Sequence, residues 1–261
     1  MPGALPMMHT LFSAAGFELH SAPFMAGLSG LAALLYFKSL NRHTGLSEDN
    51  FWELMALVVP GVMAGAVAFY FLAYGKGPLE NLRYMSTINR LAGGSFFGAY
   101  WSAILFAAAY CRFRRLDAAR VADAVALAAF LGLPIMRLGC LMNGCCHGLP
   151  TALPWGIVFT DPACAVRTGL LGRSLHPTQL YEAAGSLAIF FAGRKILRSR
   201  LARPGGVFAF STAAYAVLRF FADFTRAGDP DRFTAWGFST AQLLFALSAA
   251  GSLLWYRLKS R

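Results

Sequence analysis

The sequence predicts an all-α integral membrane protein of about seven transmembrane helices, with its N-terminus outside and its C-terminus cytoplasmic. Three observations carry that expectation. Of 261 residues, 57% are hydrophobic and 13% charged, with a mean hydropathy of +0.52, which leaves too little polar surface to solvate a single water-soluble domain. Seven apolar windows approach the ~20 residues a helix needs to cross a hydrocarbon core. The basic residues collect in alternate connections between those windows.

In chain order, the first span covers 22–38 and is followed by Lys38 and Arg42; the second covers 53–74. The third, 91–111, precedes Arg112, Arg114, Arg115 and Arg120, and the fourth, 121–142, carries Pro134 and Arg137. The fifth, 180–197, is closed by Arg194, Lys195, Arg198, Arg200 and Arg203. The sixth, 206–225, contains Arg219 and Asp223, and the seventh, 236–256, ends at Arg257, Lys259 and Arg261. These four basic groups hold 14 of the 23 Lys and Arg and mark the cytoplasmic side. The net charge of +11 therefore reflects topology, and with no basic run interleaved with a stacking platform, nucleic acid is set aside as a partner. The first twenty residues hold no Lys or Arg, so no removable signal peptide is expected. One polytopic membrane domain over 1–261 is the simplest organisation, with an extracytoplasmic or re-entrant segment around 143–178.

The chemistry concentrates where the fourth span ends. From Arg137 to Gly148 the chain reads Arg-Leu-Gly-Cys-Leu-Met-Asn-Gly-Cys-Cys-His-Gly. An ionisable group at membrane depth is costly unless it faces a cavity or a partner, which makes Arg137 a candidate for holding an anion near a helix end; an arginine snorkelling to the outer interface is the other reading. Tyr215, Arg219, Asp223 and Arg226 recur at i, i+4, i+8 and i+11, placing them on one helix face. They form either a self-neutralising ion pair or the polar wall of a cavity, with Asp223 orienting Arg219. His176-Pro177-Thr178-Gln179-Leu180-Tyr181-Glu182 opens the fifth span. Thr178 reads as its N-cap, with the Glu182 carboxylate suited to the positive end of the helix dipole.

Together these stretches resemble the prolipoprotein diacylglyceryl transferase family, bacterial inner-membrane enzymes. The likeness runs in order through Arg137-Leu-Gly…Asn143-Gly…Gly148, Leu153-Pro-Trp-Gly-Ile-Val-Phe159, His176-Pro-Thr-Gln-Leu-Tyr-Glu182, Arg203-Pro-Gly205, Tyr215…Arg219…Asp223…Arg226 and Ser239…Gln242. The resemblance implies transfer of a diacylglyceryl group from an anionic phospholipid, phosphatidylglycerol or a close relative, to the cysteine thiol of a lipoprotein precursor peptide, in a multi-pass protein of the bacterial inner membrane and with no cofactor. It implies that Arg137 and Arg219 hold the phosphate, that Asp223 and Tyr215 orient Arg219, and that Asn143 and Gly148 shape the headgroup pocket. Gln179, Tyr181 and Glu182 join the substrate-binding set.

The chain departs from that pattern at Gly93-Gly94-Ser95-Phe96-Phe97-Gly98, where Phe97 stands in place of a histidine, and at Cys140 and Cys145, which replace an asparagine and a glutamate. His147 or His176 is then read as the base that takes the thiol proton. The spacing of Cys140, Cys145 and Cys146 fits no standard metal pattern, and no metal site is assigned. A disulfide among them or with Cys164, plain packing near the glycines, and a covalent thiol nucleophile beside His147 all stay open. Cys111 falls on the cytoplasmic side and is expected to be free. Beside the transferase stand two further readings: a diverged lipid-binding paralogue with altered or no transfer activity, and a thiol-redox or metal-handling membrane protein.

Overall fold

The computed structural model describes residues 10–14, 17–74, 96–199, 203–227 and 237–259. It is mostly helical. Long helices occupy all seven apolar windows: α1 (Ser21–Ser39), α3 (Glu48–Tyr74), α4 (Phe96–Arg114), α5 (Ala118–Asn143), α6 (Thr178–Arg198), α7 (Gly206–Asp223) and α8 (Thr240–Lys259), with the single turn α2 (Asn41–Thr44) between the first two. Two of them, α3 over Glu48–Phe69 and α5, are long and apolar enough to cross a membrane by length and composition. The strands among the described residues form two antiparallel pairs, β1 (Thr10–Ala14) with β2 (Phe17–His20) and β3 (Ile157–Val158) with β4 (Ser174–Leu175). The expected start of the third span, with Gly93, Gly94 and Ser95, lies outside the described residues, as does the Phe97 side chain.

The chain divides into two compact units, residues 40–121 and residues 1–39 with 122–261. In the first, α3 and α4 pack through small residues. A Cβ at Gly65 would overlap Ser102, one at Gly98 would overlap the Gly65 backbone, and one at Gly61 would enter the Phe106 ring. Gly61 and Gly65, like Gly98 and Ser102, are four apart, so each helix offers one shallow stripe and the backbones approach closely. At the far end of this pair the Tyr110 hydroxyl lies 2.8 Å from the Glu53 carboxylate, which also receives Arg114.

In the second unit, buried Asp123 on α5 accepts hydrogen bonds from the Gly205 and Phe208 amides, both at 2.8 Å. It caps α7 from a neighbouring helix and satisfies amides that helix geometry leaves free. Ser29 on α1 donates to the Gly132 carbonyl at 2.7 Å, two residues before Pro134, which lies inside α5. Ser239 and Gln242 bond reciprocally at the start of α8, the Gln242 amide to the serine oxygen at 3.1 Å and the Ser239 amide to the glutamine oxygen at 2.8 Å. The stretch after α5 carries a small core of its own, with Ile157, Phe159, Cys164, Val166 and Leu175 buried together.

Candidate active site

One carboxylate organises the site. Glu182, fully buried on the second turn of α6, meets Arg137 Nη2 at 2.6 Å and both Arg219 Nη1 and Arg226 Nη1 at 2.7 Å. Asp223 reaches Arg219 Nη2 from one turn away at 3.7 Å. The arginine side chains keep only 11%, 8% and 12% of their surface, so this is a buried network of three cations on two acids. Burial of charge is tolerable only with such pairing. The Arg219 guanidinium also lies 5.5 Å from the centre of the Phe245 ring, and buried Tyr215 stacks edge-on between Phe130 and Phe245. Arg219 and Tyr215 thus share an aromatic wall.

The structure revises the reading of Glu182 and Thr178. Pro177 occupies the N-cap of α6 and makes no side-chain capping bond. Thr178 instead donates through Oγ1 to the Cys146 carbonyl at 2.6 Å, and Gln179 Nε2 donates to the Cys145 carbonyl at 2.8 Å. Glu182 gathers arginines rather than facing a helix dipole. The one-face pattern holds for Tyr215, Arg219 and Asp223, but α7 ends at Asp223, and Arg226 follows in extended backbone that bridges Gly148.

That bridge makes 147–149 the middle strand of a backbone stitch. The Gly148 amide donates to the His176 carbonyl at 3.0 Å, His176 returns to Leu149 at 2.9 Å, Leu149 donates to Thr225 at 2.8 Å and Ala227 to His147 at 3.1 Å. A Cβ at Gly148 would overlap His176 and the Thr225 carbonyl, so only glycine lets three chains meet there. His147 is buried, its Nδ1 3.2 Å from the Gly148 carbonyl; half-buried His176 has Nδ1 3.2 Å from the Tyr181 hydroxyl, which also accepts Trp155 Nε1 at 2.9 Å. Asn143 ends α5, and its carbonyl accepts the Ala165 amide at 2.8 Å.

All five cysteines are free thiols, and Cys164 belongs to the loop core rather than to a bridge. The sulfurs of Cys140, Cys145 and Cys146 lie within 4.8 Å of one another. Burial pulls the Arg226 guanidinium down, and its charged surroundings, the Glu182 carboxylate among them, hold it above the usual arginine value. Arg226 lay in the motif that predicts the polar wall but outside the predicted site residues. Its spacing from Arg219 was the signal that marks it.

Three guanidiniums converging on one buried carboxylate are the charged centre of this helical protein. The chain belongs to the prolipoprotein diacylglyceryl transferase family, whose model matches residues 9–257, and it is a transferase. A phosphatidylglycerol–prolipoprotein diacylglyceryl transferase of Clostridium tetani is 28% identical over 86% of this chain and 87% of its own length. One from Cereibacter sphaeroides is 34% identical over 70% of this chain and 64% of its own length, and the second such enzyme of Clostridium perfringens is 28% identical over 93% and 92%. The resemblance to that family is borne out.

Proposed function

We propose that this protein transfers the diacylglyceryl group of phosphatidylglycerol, or of a similar anionic phospholipid, to the lipobox cysteine of a lipoprotein precursor, in a bacterial inner membrane that it crosses about seven times. The gathering of Arg137, Arg219 and Arg226 on Glu182 is the observation that carries the reading. The acceptor sulfur attacks the glycerol carbon that bears the phosphate, a C–S bond forms, the C–O bond breaks, and glycerol phosphate departs with the electron pair. Negative charge grows on the departing phosphate, where preorganised guanidiniums stabilise it most. Three cations against two acids leave a single positive charge for the phosphodiester, and Arg137 Nε is buried without a hydrogen-bond acceptor among the described residues.

In this reading Asp223 and Tyr215 hold Arg219 in place, Asn143, Gly148 and Gln179 shape the headgroup side, and Tyr181 orients His176. His176 or His147 takes the thiol proton, and unchanged turnover in the His147→Ala, His176→Ala double variant would remove both. The direct test is product formation by the purified protein from phosphatidylglycerol and a lipobox peptide. Alanine at Arg137 or Arg219 is expected to lower turnover by roughly 10²–10³, the scale of losing a donor to a developing oxyanion. Wild-type protein that retains phospholipid and forms no product would instead identify a lipid-binding paralogue. Helices in all seven apolar windows, with basic residues in alternate connections, support the seven-span topology, and 143–178 is the segment that reaches the outer side.

A further inference from the structure

The three thiols beside the arginine cluster have no part in the mechanism above. Cys140 sits on the last turn of α5, and Cys145 and Cys146 on the loop that follows. Neighbouring cysteines in an extended chain point apart. Here Gly144 at φ 73° and Cys146 at φ 59° turn the backbone left-handed twice, bringing both sulfurs to within 4.8 Å of each other and of Cys140. A left-handed cysteine is strained, and such strain persists only where its surroundings enforce it. Thr178 and Gln179 do so, clamping the carbonyls of Cys146 and Cys145, while the Gly148 stitch fixes the loop just beyond.

We propose that Cys140, Cys145 and Cys146 form a three-thiolate site for a thiophilic divalent cation, zinc in its natural form, whose open fourth position takes the acceptor thiol. The fourth-ligand half rests on the transferase reading; the three-cysteine half does not. At a Zn–S distance of about 2.3 Å, tetrahedral geometry sets sulfurs about 3.8 Å apart, so the trio closes on an ion by side-chain rotation of about 1 Å. Three protein ligands with one open position is the arrangement of catalytic rather than structural zinc.

The site answers a need of the reaction. Both acids of the cluster are committed to arginines, and a buried thiol is a poor nucleophile until it loses its proton. Coordination acidifies the acceptor, and its proton passes to His147 or His176, the base of the proposed reaction. The bound sulfur then attacks the glycerol carbon, the C–S bond forms as the C–O bond breaks, and glycerol phosphate takes the electron pair onto the arginines. The thioether product is uncharged, a weaker ligand than the thiolate, and departs. A protein cysteine that attacked the lipid itself would end as a thioether that no acceptor displaces, so these thiols serve as ligands rather than nucleophiles.

The test uses the full chain, purified in detergent under reductant and loaded with Zn²⁺ or Co²⁺. About one equivalent of metal and a thiolate-to-cobalt charge-transfer band are expected. Both should vanish in Cys145→Ser and Cys146→Ser variants whose helical circular dichroism is unchanged. A lipobox peptide should shift the cobalt spectrum, and the same peptide with serine for its cysteine should not. Metal no greater than in the serine variants, or a disulfide among the three cysteines in the freshly isolated protein, would overturn the site. Metal with no peptide-induced shift would overturn the fourth-ligand assignment alone. Product formed equally with chelator or in the serine variants would do the same while leaving the transferase reading intact, whereas a metal-loaded protein that shifts with peptide and forms no product would sink that reading and keep the site.

Discussion

Removing the Glu182 charge leaves three guanidiniums buried with only Asp223 to share. Breaking a buried pair by deleting one partner costs about 3–5 kcal/mol, so Glu182→Gln should lower the unfolding temperature well beyond any surface substitution, as a thermal melt in detergent would read. Gly148→Ala puts a methyl group into His176 and the Thr225 carbonyl, and overpacking of that kind costs about 1–3 kcal/mol. The same melt should show it, with a smaller loss than at Glu182. The arginines, Asp223 and Glu182 were all visible in the sequence as chemistry, because charges inside apolar windows stand out. What each of them touches was not. Glu182 at a helix start looks like a dipole partner in one dimension, and only the packing of three helix ends shows that it holds cations from α5, α7 and the chain beyond α7.

Helix positions follow hydropathy closely because burial is a property of windows some twenty residues long, and every span found its helix within about five residues among those described. Caps were harder to read. Thr178 has the side chain of an N-cap, yet Pro177 takes that position and the threonine bonds to the Cys146 loop instead. The amides at the start of α7 are satisfied by Asp123 from another helix, a partner more than 80 residues away that no local pattern reveals. Asp123→Ala strips both amides of their acceptor and should cost about 1–3 kcal/mol, with hydrogen exchange accelerating first at residues 205–208. Between α3 and α4, Gly65→Leu should separate the helices, since neither Ser102 nor the Gly98 backbone can retreat. Crosslinking between engineered cysteines across that seam would fall accordingly.

For the whole molecule, composition and charge asymmetry led to membrane helices, while motif order led to the family whose model spans residues 9–257. Enzymatic reporters fused after Arg198 and after Lys259 should be active only as cytoplasmic reporters, and one placed within 160–172 only as an exported reporter. The opposite pattern would reverse the topology. Cys140, Cys145 and Cys146 stand out in the sequence, but the convergence of their sulfurs does not follow from their spacing. The left-handed turn at Cys146 is set by tertiary clamps that sequence spacing does not encode.

Glu182 has a consequence for turnover. In the proposed reaction a phosphate entering this site would not meet open cations; it would have to take hydrogen bonds from a carboxylate that already holds them. On that reading the protein carries its own competitor for the lipid headgroup, and binding would be an exchange whose net strength is the difference between two anions. The same rivalry would run in reverse after the chemistry, with the carboxylate reclaiming the arginines and expelling glycerol phosphate. A variant without that charge, though less stable, should grip phosphatidylglycerol more tightly and let go of its product more slowly.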